Sequence, residues 1–432
     1  MKKTINVARR QWLGQVAKVS AVGAAALSFP ALAQKNGAGR VIVIGGGFGG
    51  ATAARYLKRR NPAIDVTLIE PAKTYYTCPF TNLYFGGLRT FEQQGHTFDD
   101  LRALGVKVVH ELAAGVDGER KTVSLANGDT LNYDKLLLSP GIDFRWNALE
   151  GYDEAASHLA PHAWKAGPQS TLLKQQLEAM PDGGTFLMVA PANPFRCPPG
   201  PYERVSMVAH YLKTNKPKSK ILILDAKDAF SKQGLFQDGW NRLYGDLIEW
   251  VPLAKDGKVV RVDAPSLTVE TEFGQTHKAD VLNVIPPQKA GIIAELAGVT
   301  NESGWVPVKH HTFESEQVAD IYVVGDATVA APMPKSGFSA SAQAKVAAAA
   351  IVNALAGQEA AQPSFANTCY SLIGPDYGIS VAHLYKLEDG KLAEASGGVS
   401  PKEANAAFRK LEAEYGEAWY NAIALDAWGT RA

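Results

Sequence analysis

Residues 40–50 read RVIVIGGGFGG, and residues 65–70 read DVTLIE. After Arg40, residues 41–44 are continuously apolar, as a strand covered on both faces requires. Three glycines follow at the spacing G-x-G-x-x-G: Gly45, Gly47 and Gly50. Gly45 allows a tight turn, Gly47 lets the backbone approach a pyrophosphate, and Gly50 lets helix and strand pack closely. Residues 49–60 then read as a helix whose N-terminus faces the phosphates with free N–H groups and positive potential. A second strand over 65–70 ends in Glu70, 20 residues after Gly50, where a carboxylate accepts hydrogen bonds from ribose hydroxyls. Strand, glycines, helix and spaced acid together predict a βαβ dinucleotide-binding unit.

The pattern continues outward. YDKLLLSPG (133–141) reads as another strand running into a glycine turn. From about residue 170 a second α/β segment follows, with a helix at 171–180 and strand TFLMVA at 185–190. A helix around 203–213 and strand KILILD at 220–225 come next, and DVLNVIPP closes the segment near 287. IYVVGDA (321–327) then returns to first-domain material. It places Gly325 and Asp326 after a strand, where flavoproteins hydrogen-bond the ribityl chain of FAD. The alanine-rich helix after 335–339 is expected to aim its positive end at the flavin. The turn after TFLMVA reads Pro191, Ala192, Asn193, Pro194. With no glycines there, close approach to a second pyrophosphate is lost, so a nicotinamide partner is not expected.

Composition bounds the remaining possibilities. At 432 residues, with 46% hydrophobic and 20% charged residues, the chain is sized for two or three globular domains. The formal charge of +1 argues against nucleic-acid binding. Lys2, Lys3, Arg9, Arg10 and Lys18 lie in the first 33 residues, which contain no acid, so the remainder carries −4 against 43 acidic residues. Two lysines, then ARRQWLG (8–14), a short apolar run and ALA (31–33) form a secretory signal of twin-arginine pattern. A periplasmic protein is expected, with no integral membrane association. Of the three cysteines, Cys78, Cys197 and Cys369, an oxidising compartment allows one disulfide and leaves one thiol. No C-x-x-C-H is present for haem attachment. His310 and His311 are adjacent and cannot converge on one ion, so no metal site is expected. Trp419, Tyr420 and Trp428 read as packing residues, with an electron path or partner interface as the other possibility.

From residue 39 to the C-terminus the chain resembles the flavoprotein subunit of flavocytochrome c sulfide dehydrogenase. The likeness rests on YYTC with TNLYFGG, PFRCPPGPYER, KILILDAKDAFSKQGLF, YVVGDA and EYGEAWYNAI. It implies a thioether from Cys78 to FAD, a redox disulfide between Cys197 and Cys369, and Glu203 as the base that takes a proton from bound sulfide. It also implies that haem c sits on a separate cytochrome subunit. The fold expected is α/β and glutathione-reductase-like, with two Rossmann-type domains. Its FAD domain is assembled from 39–150 and 289–360, a degenerate dinucleotide-type domain spans 165–288, and a mixed α+β flavin-pocket and interface region covers 361–432. The expected reaction is sulfide oxidation. A sulfide:quinone oxidoreductase and a flavin-carrying electron-transfer subunit without sulfide chemistry are the alternatives.

Overall fold

The structure is a computed structural model that describes residues 38–429; the export signal expected at 1–33 lies outside the described residues. Strand β1 (Arg40–Ile44) is followed by helix α1 (Phe48–Arg60), β2 (Asp65–Ile69), β3 (Lys107–Val109) and β4 (Lys135–Leu138). β1 lies between β2 and β4, parallel to both, and Val41 to Ile44 are all buried. Each such aliphatic side chain contributes about 1.5–3 kcal/mol through burial. That double coverage is why the strand reads as an unbroken apolar run.

The second sheet holds β5 (Thr185–Ala190), β6 (Lys220–Asp225), β7 (Ile248–Val251) and β8 (Val281–Val284), with helix α2 (Gly200–Asn215) after β5. These four strands are parallel in the order β7-β6-β5-β8. β9 (Ile321–Val323) then joins the first sheet beside β4, in parallel. The first sheet therefore has the parallel core β9-β4-β1-β2-β3, and three short strands extend it beyond β9. This is the glutathione-reductase-like arrangement, with its nucleotide sheet drawn from two separated pieces of chain.

Helix α3 (Gly337–Leu355) lies against α1. Their contact is built on small residues, among them Ala51, Ala54, Ala344, Ala347 and Ala348, all fully buried. Small side chains allow close approach and bring both helix N-termini to one cleft. Strands β10 (Phe365–Gly374), β11 (Tyr377–Glu388) and β12 (Lys391–Val399) form an antiparallel sheet, followed by α4 (Ala406–Trp428). Asn405 caps α4 by accepting from Phe408 N–H at 2.9 Å. The far end of α4 returns to the glycine loop, where the Trp428 indole N–H donates to Gly46 O at 3.0 Å. Trp428 and Tyr420 are packing residues, each almost fully buried. Trp419 instead lines the cleft described below. Among the described residues no helix is long and apolar enough to cross a membrane.

Two local differences from the sequence reading bear on the site. Helix α2 starts at Gly200 rather than near 203, because Pro201 suits a first turn whose N–H has no helical partner. Glu203 therefore sits in that first turn. Between β5 and α2 there is no tight turn but an irregular loop over residues 191–199, which carries Cys197.

Candidate active site

The glycine loop has the geometry its spacing requires. Gly45 takes φ +98°, and a Cβ there would lie 2.3 Å from Ser139 O. A Cβ on Gly50 would lie 1.8 Å from Gly45 O, so β1 and α1 meet only because both side chains are absent. Gly47 is the N-cap of α1 and makes no side-chain cap bond. The free N–H groups of the first turn thus remain available to an anion. Glu70 does more than the ribose role expected of it. Its Oε2 accepts from Gly46 N–H at 2.7 Å and its Oε1 from Ala72 N–H at 3.0 Å. Two donors fix the carboxylate against the loop and leave lone pairs for ribose hydroxyls.

In front of this loop opens a cleft on which the chain's chemistry converges. Gly47, Cys78, Cys197, Glu203, Gly325, Asp326 and Cys369 all line it. Gly45, Gly50 and Glu70 stand behind the loop and shape it without forming the wall. Ser336 and Gly337 bring the N-terminus of α3 to the same cleft.

Cys78, Cys197 and Cys369 are all thiols in this structure, so the Cys197–Cys369 disulfide implied by the resemblance is not formed here, although both residues face the one cleft. Cys197 takes φ +58°, a left-handed conformation costly for a side-chain-bearing residue. It is held by its N–H to Lys335 O at 2.8 Å and by its carbonyl accepting from Gly200 N–H at 2.8 Å. Burial pushes the Cys197 thiol well above its ordinary value; Glu203, Cys369 and Cys78 add to this, and only Arg196 opposes it. Cys369 is pushed up to about 11, chiefly by burial, with Lys232 working the other way. Glu203 is raised by burial, while Lys232, Ser371, Asn82 and Arg204 all favour its ionised form. Its Oε1 accepts from the Ser371 hydroxyl and its Oε2 from Asn82 Nδ2 at 3.3 Å. Arg204 steadies Asn82 by donating from Nε to its Oδ1 at 3.3 Å.

The residues present fit FAD. Asp326 Oδ1 is buried and has no hydrogen-bond partner among the described residues. An unpaired buried acceptor on a cleft wall is strongly unfavourable unless a ligand hydroxyl meets it. Two helix N-termini suit the pyrophosphate and the electron-rich flavin edge. The backbone N–H of Gly325 is engaged by Gln343 Oε1 at 2.7 Å, so this turn offers a ligand the Asp326 carboxylate rather than that donor. Cys78 follows β2 on the loop over the cleft, and its Sγ donates to Trp164 O at 3.4 Å.

Sequence reading missed Arg196, Ser371, Asn82 and Lys232. Arg196 directly precedes Cys197, and Ser371 lies two residues past Cys369 on β10, hence on the same face. Both signals were present locally. Asn82 sits within the quoted TNLYFGG, where nothing distinguishes it from a helical surface residue. Lys232 carries no local signal.

Comparison with known proteins agrees with this architecture. Residues 170–286 match the family model for the central part of the sulfide dehydrogenase [flavocytochrome c] flavoprotein chain. Residues 361–428 match the flavocytochrome c sulphide dehydrogenase flavin-binding model, and residues 39–174 the pyridine nucleotide-disulphide oxidoreductase model. A sulfide dehydrogenase [flavocytochrome c] flavoprotein chain of Chlorobaculum thiosulfatiphilum is 56% identical over 46 residues, which is 96% of that sequence and 11% of this one. The mitochondrial sulfide:quinone oxidoreductase of Mus musculus is 24% identical over 314 residues, covering 71% of this chain and 69% of that one. Among solved structures, the sulfide:quinone oxidoreductase of Aquifex aeolicus superposes with a TM-score of 0.69 at 20% identity, covering 90% of this chain and 92% of its own. A flavin-binding chain with these matches at its centre and its C-terminal end belongs to the family of flavocytochrome c sulfide dehydrogenase flavoprotein chains.

Proposed function

We propose that this chain oxidises sulfide with FAD and a Cys197–Cys369 redox pair and delivers the electrons singly to a c-type haem on a separate cytochrome subunit. The observation that carries the reading is the convergence of Cys197, Cys369 and the buried carboxyl of Glu203 on the cleft that Asp326 also lines. Gly45, Gly47, Gly50, Glu70, Gly325 and Asp326 would hold FAD, with Cys78 as its covalent tether. When bound, FAD supplies acceptance of an electron pair and its release one electron at a time, which suits a haem acceptor.

The chain's own groups account for the sulfur chemistry. Glu203 takes the proton of hydrogen sulfide. The resulting hydrosulfide adds to an S–S bond between Cys197 and Cys369. One new S–S bond forms and the old one breaks, leaving a persulfide on one cysteine and a thiolate on the other. Lys232 is the leading charge acting on Cys369 and favours its thiolate, whereas Glu203 leads at Cys197 and opposes one. The sulfur whose thiolate is favoured is the better leaving group, which assigns attack to Cys197. The twin-arginine pattern supports export of the folded flavoprotein to the periplasm.

A quinone acceptor is the second reading, and the likeness to two sulfide:quinone oxidoreductases favours it. One experiment tests both. Purified protein is titrated anaerobically with sulfide while flavin absorbance is followed, and then offered oxidised cytochrome c or a soluble quinone. Flavin bleaching followed by faster cytochrome reduction is expected. Bleaching with quinone as the faster acceptor would move the assignment to the second reading, and no bleaching at all would leave a flavin carrier.

A further inference from the structure

The buried carboxyl of Glu203 and the Cys369 thiol are served by a third element that neither of their own segments supplies. Lys232 stands at the N-cap of the helix Gln233–Tyr244, with φ +60°, and its side chain is buried. Its ammonium donates to Ser371 Oγ at 2.5 Å, and the Ser371 hydroxyl in turn donates to Glu203 Oε1. Ser371 is itself buried and sits two residues beyond Cys369 on β10. A lysine buried this deeply needs a counter-charge. Lys232 takes part in none of the ion pairs formed among the described residues, so its compensation comes through Ser371 from Glu203.

We propose that Lys232, acting through Ser371, is the positioning cation of the active site: it holds the Glu203 carboxylate in place and supplies the positive charge that a Cys369 thiolate faces. The proposal rests on the sulfide-oxidising reading and deepens it. The groups around Glu203 are Lys232, Ser371, Asn82, Arg204 and Cys197. Those acting on Cys369 are Lys232, which favours its thiolate, and Glu203, which opposes it. Arg204 reaches Glu203 only through Asn82, by its Nε, and its other donors are taken by the carbonyls of His162 and Ala163 and the amide oxygen of Asn283. Arg196 serves Cys197 instead. The two thiols are thus provided with different cations, and an opened S–S bond is electrostatically asymmetric. A hydroxyl between ammonium and carboxylate also avoids a direct ion pair, which would tie Glu203 to a fixed charge and weaken it as a base.

The test uses the flavin-loaded protein and three variants: Lys232→Met, Lys232→Arg and Ser371→Ala. After reduction with dithiothreitol, Cys369 is alkylated with iodoacetamide across a pH series and followed by mass spectrometry of its peptide. Sulfide-dependent flavin bleaching is measured over the same series. In Lys232→Met, alkylation of Cys369 at pH 8 should fall about tenfold, since an adjacent opposite charge is worth one or more pKa units. Its profile should move to higher pH, and Lys232→Arg should restore it. In Ser371→Ala, the acid limb of the bleaching rate should move to higher pH as Glu203 loses a donor to its ionised form. If Lys232→Met does not fold, the Ser371→Ala limb decides alone. Profiles that superimpose on wild type in the folded variants would overturn the proposal. Alkylation needs no sulfide, so this failure is distinct from an absence of sulfide-dependent bleaching, which would overturn the functional reading instead.

Discussion

Glu203 accepts a hydrogen bond from Ser371, 168 residues further along the chain, and through that bond the first turn of α2 is fastened to β10. Cys197 lies on the loop leading into α2, and Cys369 lies on β10 beside Ser371. The contact therefore sets the two cysteine-bearing segments against each other through a bond that involves neither thiol. On the proposed function, a base and a sulfur pair held by the same fastening would keep their spacing through turnover, a form of pre-organisation.

Glu203→Gln keeps the shape and the Asn82 and Ser371 neighbours but removes the proton acceptor. Burial raises the Glu203 pKa, so the active, ionised form is gained only above the ordinary carboxylate range. The wild-type bleaching rate is expected to rise with pH through a limb displaced upward from that range. The variant should lose that limb and fall about 100-fold at its plateau, the usual contribution of general base catalysis. Stopped-flow bleaching at several pH values checks this; an unchanged limb would assign the proton to another group.

Cys197→Ser and Cys369→Ser each remove one half of the pair. Both should keep their flavin, because neither residue belongs to the glycine loop or the Asp326 turn, and both should lose sulfide-dependent bleaching. Flavin content by absorbance, measured beside bleaching, separates loss of chemistry from loss of cofactor. Full sulfide turnover in either variant would rule out the disulfide route.

How much of this was legible beforehand follows from where each constraint acts. The βαβ unit was readable because its determinants lie within residues 40–70 and obey short-range rules: an apolar run, glycines at fixed offsets, an acid at the strand end. Gly325 and Asp326 were readable for the same reason. The hydrogen bonds Glu70 makes to the loop were not, because a carboxylate's partners depend on the distance between two turns and not on spacing. Lys232 was invisible in a different way. It precedes an ordinary helix, and its buried charge has meaning only once β10 is laid against α2. The convergence of Cys197 and Cys369 came from resemblance alone, since three cysteines allow three pairings and no pattern within this chain selects one.

Cys78→Ser tests the tether. If Cys78 carries the flavin, acid precipitation of the wild-type protein leaves the yellow colour in the pellet, and the variant releases it to the supernatant. The variant should still bind FAD, because the glycine loop, Glu70 and Asp326 are untouched. Mass spectrometry of the Cys78 peptide, heavier by one FAD in the wild type alone, gives the same answer independently. Release of flavin from the wild-type protein would refute the thioether.

Gly50→Ala tests the loop. Its Cβ would come within 1.8 Å of Gly45 O, a backbone atom that cannot rotate away. The strand–helix contact must open, at a cost of about 2–4 kcal/mol, the range of serious steric insertions. Lower thermal stability together with lost flavin is expected; a variant that keeps both would show that the loop yields more readily than its packing implies.

Asp326 allows the effect of a cofactor to be separated from that of packing. Its Oδ1 is buried without a partner, and its pKa is raised by that burial, against the opposing influence of Arg196 and Lys335. Such a carboxyl is a liability to the fold by itself and becomes an asset only when a ligand hydroxyl donates to it. Asp326→Ala should therefore act with opposite signs on the two forms. The flavin-free protein should melt no lower than its parent, because a poorly satisfied buried acceptor has been removed. The affinity for FAD should weaken by about 1–3 kcal/mol, the value of a hydrogen bond to a charged acceptor and roughly a 5- to 150-fold change in dissociation constant. The comparison is made in the Cys78→Ser background, so that binding is reversible, with flavin fluorescence for affinity and calorimetry for both melting points. Equal destabilisation of both forms with unchanged affinity would make Asp326 a structural residue and remove the strongest geometric argument for where the ribityl chain lies.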